Sequence, residues 1–322
     1  DHTKISAVLG GRVGFDRLVA AAHEVGLGII VDIVPNHMAL PVPAWHNAPL
    51  WSLLAEGPDS PYASWFDINW STAGGDILMP ILGDRIGAVL GSGELTVEEA
   101  DIPRFGPSTV LRYYDHVFPV REGTADLPLV DLVDRQFYRL AHWRVADEEL
   151  NYRRFFDVDT LAGLRMEDPA VFDATHKLIL DLVAAGQIDG LRIDHIDGLA
   201  DPVGYLERLA DQTGSAWVVL EKILADDETL PDEFACAGTT GYESAWRLGA
   251  LFTDPAGERH LAAVMRSVTG DSVEDWAEVV RQAKIDVLTG PLVAELNRLV
   301  ETASSICHSD VRLRDHTVPA LR

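Results

Sequence analysis

The chain alternates between apolar residues at helical spacing and short continuous apolar runs. Helical spacing over residues 14–25 ends at Gly26, and a β-branched run from Gly28 to Val34 follows, ended by Pro35. The same cycle recurs downstream, predicting helices over 169–186 and 202–212 and strands over 188–193, 217–220 and 234–237. Strands that alternate with helices in this way indicate parallel βα units, and therefore an α/β fold.

Two stretches depart from this alternation. Residues 39–150 are far more than one βα unit needs, and they predict a subdomain inserted after a strand. Its aromatic side chains, which form either the insert's own core or part of a site, are Trp45, Trp51, Trp65, Phe66 and Trp70. From residue 244 the spacing is helical without a strand signal. We therefore predict βα segments over 1–38 and 151–243, the insert over 39–150 and a helical subdomain over 244–322.

The composition excludes several classes of partner. The formal charge is 26 − 51 = −25, which disfavours a nucleic-acid partner, because binding phosphates requires the opposite sign. Two cysteines, Cys236 and Cys307, supply neither a disulfide framework nor a cysteine zinc site. No apolar stretch is long enough to span a membrane and the first residues are polar, so we expect a cytosolic protein without a membrane partner.

The two ends of the sequence indicate whether it is a complete protein. The chain opens on Asp1 without an initiator methionine and closes on Arg322 within a helical pattern. We therefore expect it to be a piece of a longer protein.

Polar side chains follow three of the predicted strands. Asp194 follows the run Gly190–Ile193, Glu221 follows Trp217–Leu220, and the string Asp32–His37 closes the first strand. The carboxyl ends of parallel strands meet at one face, where barrel enzymes build their active sites. Two carboxylates roughly 5–10 Å apart are what cleavage of a glycosidic bond requires. We therefore predict Asp194 and Glu221 as the catalytic pair.

The two acids are suited to different roles. Arg192 lies two residues before Asp194 on the same strand face, where its charge would keep that carboxylate ionised, as a nucleophile needs. A partly desolvated Glu221 would retain a proton more readily and could act as general acid. The structural alternatives are a buried ion pair at Asp194 and an exposed strand-end charge at Glu221.

Residues that flank the two acids are the candidates for binding the substrate. These candidates are Asn36, His37, Arg192, His195, Asp197 and Lys222. The alternative for His37 is a structural histidine, and Asp32 and Asn36 could hold loop backbone instead. A further alternative makes Asp32, His37, Asp194, His195 and Asp197 ligands of a metal-dependent barrel hydrolase, although no third histidine joins them. We predict no metal site and no cofactor.

These strings resemble the alpha-amylase family of glycoside hydrolases. Asp32–His37, Gly190–Asp194 and Glu221 are similar to the first three sequence regions of that family. Ordinary amylases usually carry Lys-His where this chain has Asp197-Gly198. One subgroup resembles the chain more closely, at Asp1–Thr3, Asp67–Trp70, Tyr114–His116, Tyr138–Arg144, Asn151–Asp157, Asp194–Leu199 and Gly238–Tyr242.

The resemblance implies a (β/α)8 TIM barrel, of which this chain supplies about half. For the subgroup it implies an intramolecular transglucosylation, which converts the reducing-end α-1,4 linkage of a maltooligosaccharide or glucan to α,α-1,1. Asp194 would be the nucleophile, and Glu221 first the acid and then the base. The family's third acid and its first barrel strands have no match in this chain. Alternatives are another glucan hydrolase or 4-α-glucanotransferase, or a non-catalytic glucan-binding piece.

Overall fold

The computed structural model describes residues 2–71, 74–225, 227–270 and 276–313. The helices are α1 Gly11–Glu24, α2 Ala48–Glu56, α3 Ile86–Ser92, α4 Leu129–Val133, α5 Ala146–Glu149, α6 Pro169–Ala184, α7 Pro202–Thr213, α8 Tyr242–Leu251, α9 Glu258–Thr269, α10 Trp276–Thr289 and α11 Val293–Ser309. The strands are β1 Ile30–Ile33, β2 His37–Ala39, β3 Ile77–Leu82, β4 Leu95–Ile102, β5 Gly106–Tyr113, β6 His116–Pro119, β7 Tyr138–His142, β8 Arg154–Phe155, β9 Val158–Gly163, β10 Gly190–Ile193, β11 Trp217–Leu220 and β12 Gly238–Thr239.

The chain separates into two compact units. The first holds the described residues of Asp1–Ala146 and Asn151–Thr240, and the second those of Asp147–Leu150 and Gly241–Arg322. The finer division into four segments, predicted from the sequence, stays a prediction. Residues 271–275 and 314–322 of the predicted helical subdomain lie outside the described part of the chain.

The main sheet of the first unit is parallel, with the order β1-β10-β11-β12. Ile33 is paired with Ile193, and Ile193 with Leu220, so the last residues of three strands lie in one row. This sheet confirms the predicted α/β class and its parallel βα units. Within the described residues the sheet has β1 and β12 at its edges, and closure of a barrel is not seen.

Two helices flank the central strand β10 in the chain, and the second of them connects it to β11. α6 begins where the Asp168 side chain accepts from Ala170 N–H, and α7 begins where Asp201 accepts from Gly204 N–H, each with proline at the first helical position. α6 and α7 contact each other and bury apolar side chains that include Phe172 of α6 and Leu209 of α7. The hydrophobic effect therefore fixes both helices in the unit that carries the sheet.

The fourth strand lies later in the chain than predicted. The apolar run 234–237 forms a turn, because Phe234 and Cys236 donate their N–H groups to nearby carbonyls rather than to a neighbouring strand. Pairing with β11 begins where Ala237 N–H donates to Val218 O, at 2.7 Å, and continues through Gly238–Thr239. The prediction of a strand over 234–237 was wrong by a few residues, since an apolar run alone does not say where its main-chain donors bond.

The long segment between β1 and β10 contains three small sheets. β4, β5 and β6 form an antiparallel meander, β3 pairs with β7 in parallel, and β2, β9 and β8 form an antiparallel sheet. Trp51 and Phe66 are buried in this segment, and the ring of Trp51 lies 5.5 Å from that of Phe105. For these two rings the structure favours the core role over a role in a site.

The described elements of the second unit are helical and include α8 to α11. Few of its side chains are buried, Ala294 and Val300 among them. Across both units, no helix in the described ranges combines the length and the apolar character that crossing a membrane demands.

Candidate active site

The two predicted catalytic acids follow adjacent strands of the main sheet. Asp194 N–H donates to Ile33 O at 2.9 Å, and Glu221 N–H donates to Ile193 O at 2.8 Å. These bonds extend the parallel ladders one residue beyond β10 and β11. The backbone therefore holds Asp194 and Glu221 side by side at the carboxyl edge of the sheet.

The Glu221 carboxylate is tied to the residue that follows Asp194. Its Oε2 accepts from the backbone N–H of His195 at 3.1 Å. His195 has a left-handed backbone, with φ 50° and ψ 50°, which non-glycine residues seldom adopt. This unusual turn aims the His195 N–H at Glu221 and joins the two acids through a single residue.

Arg192 bridges two carboxylates beneath this turn. Its Nη1 lies 2.7 Å from both carboxylate oxygens of Asp32 and 3.0 Å from Asp194 Oδ1. The hydrogen bond that Arg192 donates to Asp32 raises the pKa of Arg192; Asp194 adds to this effect and burial opposes it. Arg192 is thus close to Asp194, where the sequence suggested it. Asp32 binds Arg192, so the expectation that Asp32 holds loop backbone was wrong.

Lys222 is bound between two further carboxylates. Its Nζ donates to Asp197 at 2.9 and 3.0 Å and lies 2.9 Å from Glu228 Oε1. Burial lowers the pKa of Lys222, but the hydrogen bonds and charges of Glu228 and Asp197 outweigh it, so this pKa is raised. The side chain is only 10 % exposed. Lys222 and Asp197 therefore fasten the loop after β10 to the loop after β11.

Asn36 lies beneath the site, bonded to an arginine that sequence reasoning missed. Asn36 is 1 % exposed, its Oδ1 accepts from Arg153 Nη1 at 2.5 Å, and its Nδ2 lies 3.3 Å from His37 Nδ1. Arg153 also donates to Gly198 O at 3.1 Å and to Leu164 O at 2.6 Å. Its partners are far apart in sequence, so the string Asn151–Asp157 quoted for the resemblance did not show what Arg153 contacts.

Glycine at position 198 is required by this packing. A Cβ there would lie 2.3 Å from the His195 ring and 2.7 Å from Asn36 Oδ1, closer than real Cβ contacts. Any side chain at Gly198 would therefore displace His195 or the bond between Asn36 and Arg153.

Aromatic rings cover one side of the site. Phe155 lies 4.5 Å from the His37 ring and 4.7 Å from the His195 ring, and Phe156 lies 5.2 Å from His195. Burial lowers the pKa of His37, with His195 and Arg153 adding to this and the charge of Asp194 opposing it. His37 is therefore a neutral hydrogen-bonding group at pH 7.

A cavity of about 510 Å³ lies beside the carboxylate pair, not on it. It is lined by residues of β1, β2 and α6, which include Asp32, His37 and the buried His176. Neither Asp194 nor Glu221 lines it. The candidate active site is therefore defined by Asp194 and Glu221, whose positions are fixed by main-chain hydrogen bonds, and not by this cavity.

The alternative of a metal-dependent hydrolase lacks a site in the part of the chain that the structure describes. No group of three or more His, Cys, Asp or Glu side chains there is arranged to hold a metal ion. Asp32 and Asp194 share Arg192, and Asp197 binds Lys222. Arg192 and Lys222 thus form ion pairs with carboxylates that a metal-dependent hydrolase would use as metal ligands.

Comparison of the sequence with models of known protein families identifies the family of this chain. The family model described as "Alpha amylase, catalytic domain" matches residues 1–218, more than half of the chain. The chain belongs to the alpha-amylase family.

Individual alpha-amylase family relatives are similar over nearly the whole chain. A curated sequence from Mycobacterium tuberculosis, named provisionally as a maltooligosyl trehalose synthase, is 38% identical over 100% of this chain and 40% of its own length. The solved maltooligosyltrehalose synthase of Arthrobacter ramosus is 42% identical, with a TM-score of 0.86 over 93% of this chain and 38% of that one. The chain thus spans about 40% of the length of the curated relative.

Proposed function

We propose that the whole protein containing this chain is a maltooligosyltrehalose synthase, an isomerase acting on maltooligosaccharides. The similarity to proteins of that name over nearly all of the chain supports the subgroup. The observation that carries the chemistry is the bond from His195 N–H to Glu221, one residue after Asp194. It supports a pair of acids that act on one sugar linkage.

Two displacements at one anomeric carbon would give the isomerisation. Asp194 attacks the anomeric carbon of the glucosyl unit next to the reducing end, while Glu221 gives its proton to the departing glycosidic oxygen. The released glucose stays bound and turns. Its anomeric hydroxyl then loses its proton to Glu221 and attacks the glycosyl-enzyme, which frees Asp194 and forms the α,α-1,1 linkage. Exclusion of water prevents hydrolysis of the intermediate.

The surrounding residues have supporting roles in this proposal. Arg192 complements the Asp194 carboxylate at 3.0 Å, and the neutral His37 ring and the His195 ring offer nitrogens to sugar hydroxyls. Asp197 and Lys222 hold the loops after β10 and β11 together as a bonded pair, and Asn36 contacts His37. All six were predicted as substrate-binding residues, and for Asn36, which is 1 % exposed, the contacts favour a supporting role instead.

The same proposal extends to the fold and the location. We propose that the four-stranded parallel sheet is part of a (β/α)8 barrel, with the remaining strands in other parts of the whole protein. The open edges of the sheet at β1 and β12 are compatible with such neighbours. The cytosolic location stays a prediction from the sequence.

Incubation of the full-length protein with maltopentaose tests the proposed activity. We expect a non-reducing product of unchanged mass, because glucose is moved within one molecule and not released. Asp194→Asn and Glu221→Gln should each lower kcat at least about 1,000-fold, since each removes a group that acts in the transition state.

Matched controls are Asp181→Asn and Glu207→Gln, on exposed positions of α6 and α7, and they should leave kcat unchanged. Shorter sugars from the wild-type protein would indicate a hydrolase, and a mixture of longer and shorter sugars a 4-α-glucanotransferase. Either product pattern, or full activity in Asp194→Asn, would refute the proposed isomerase.

A further inference from the structure

The turn between β8 and β9 places an aromatic ring in an unusual position. Phe155 pairs with Val158, so Phe156 and Asp157 form a two-residue hairpin turn. Phe156 has a φ of +50°, a conformation for which hairpin turns usually use Gly, Asn or Asp. Its side chain is 62 % exposed, so burial does not compensate for the backbone strain.

The neighbours of this ring lie at the catalytic pair. The Phe156 ring lies 5.2 Å from the ring of His195, which is itself left-handed. His195 follows Asp194 and donates its N–H to Glu221. Two left-handed residues therefore contact each other directly beside both acids. Strain of this kind tends to accumulate where a site requires a fixed geometry.

The hairpin that carries Phe156 is held firmly. Arg154 is buried and forms an ion pair with Asp159 across the base of the turn. The hydroxyl of Tyr152 donates to Asp159 O at 2.7 Å, and Phe155 packs edge-on against Phe156, with ring centroids 4.5 Å apart. The exposed face of Phe156 is thus preorganised, and little conformational entropy is lost when something packs on it.

We propose that the exposed face of Phe156 is a stacking platform for one glucosyl unit of the substrate. This inference rests on the proposed function, and it adds a substrate-binding residue to that site. A pyranose ring presents an apolar C–H face, which an aromatic ring buries, while its hydroxyls bond to nearby polar groups. Phe156 supplies the apolar face, and His195 and the two carboxylates supply polar groups on the adjoining side.

Binding of maltopentaose to the full-length protein tests the platform. The measurement is calorimetric and uses an Asp194→Asn background, so that sugar is bound but not converted. Phe156→Gly removes the ring yet accepts the positive φ, and we expect its Kd to rise about tenfold. Phe156→Trp retains an aromatic face and should keep the Kd within about threefold of the parent.

Tyr114 provides a matched control within the same chain. It occupies the equivalent position of the two-residue turn between β5 and β6, with a φ of +51° and 64 % exposure. Its ring contacts that of Tyr113, which is not a residue of the site. Tyr114→Gly should therefore leave the Kd of maltopentaose unchanged.

Several outcomes would overturn the platform. They are an unchanged Kd in Phe156→Gly, an equal loss in Tyr114→Gly, and absence of maltopentaose binding in the parent. A lowered thermal midpoint of Phe156→Gly at unchanged Kd would show that the ring packs against other protein. The product assay is separate, because shorter sugars from the wild-type protein would refute the isomerase without altering the binding comparison.

Discussion

At the residue scale, the site depends on a few side chains that bond to several loops at once. Arg153 donates to Asn36, to Gly198 O and to Leu164 O, and so joins the end of β1 to the loop that follows Asp194. A guanidinium can make these bonds together because its donors point in fixed, divergent directions. A single charged group thereby sets the position of the turn that carries Asp194 and His195.

Replacing Arg153 by lysine should therefore lower activity, although the charge is kept. The ammonium group cannot reach the same three acceptors, and the His195 turn would shift relative to Glu221. We expect kcat on maltopentaose to fall about 100-fold with a smaller change in KM. Arg165→Lys, whose guanidinium is exposed beside Glu167, is the control and should retain wild-type kcat. Wild-type kcat in Arg153→Lys would contradict this positioning role.

At the element scale, a buried histidine joins α6 and α7, the two helices that flank β10 in the chain. His176 of α6 lies 2.9 Å from the Tyr205 hydroxyl of α7, and its ring stacks on Phe172 at 4.2 Å. Burial lowers the pKa of His176 to about 4. The unfolded chain binds a proton at this residue near pH 6.5, so between these values the unfolded state binds more protons than the folded state.

Stability should consequently decrease as the pH falls from about 6.5 toward 4, with His176 accounting for about 3 kcal/mol of the change. His176→Gln cannot take up a proton, so its urea unfolding free energy should vary less over this pH range. The variant His260→Gln, at an exposed position of α9, should keep the wild-type slope. Equal slopes in wild type and His176→Gln would refute the assignment.

At the scale of the whole molecule, the net charge of −25 should contribute little to the affinity for an uncharged glucan. A neutral ligand gains no Coulomb attraction from the protein, and it releases no counterions on binding. Packing on aromatic rings and hydrogen bonds to hydroxyls would then supply the affinity. The same reasoning distinguishes a sugar site from a site for an anionic ligand.

The KM of the full-length protein for maltopentaose should therefore stay within about twofold between roughly 0.05 and 0.5 M sodium chloride. The ion pairs of the site are short and partly buried, so added salt should not dissociate them. Steady-state kinetics across this range is the measurement. A KM that rises steeply with salt would show that charge attraction contributes to substrate binding.

The sequence by itself determined the parallel α/β class and the strand-end positions of Asp194 and Glu221. Both follow from local patterns, because an apolar run, its length and the residue that ends it are neighbours along the chain. Only the tertiary structure decided the contacts of Arg153, the pairing of Asp32 with Arg192, and the exposure of Phe156. Those contacts join residues that are far apart in sequence, and their geometry exists only once the strands and loops have packed. The apolar run 234–237 failed as a strand for the same reason, since β11 selects its partner by main-chain bonding and not by hydrophobicity.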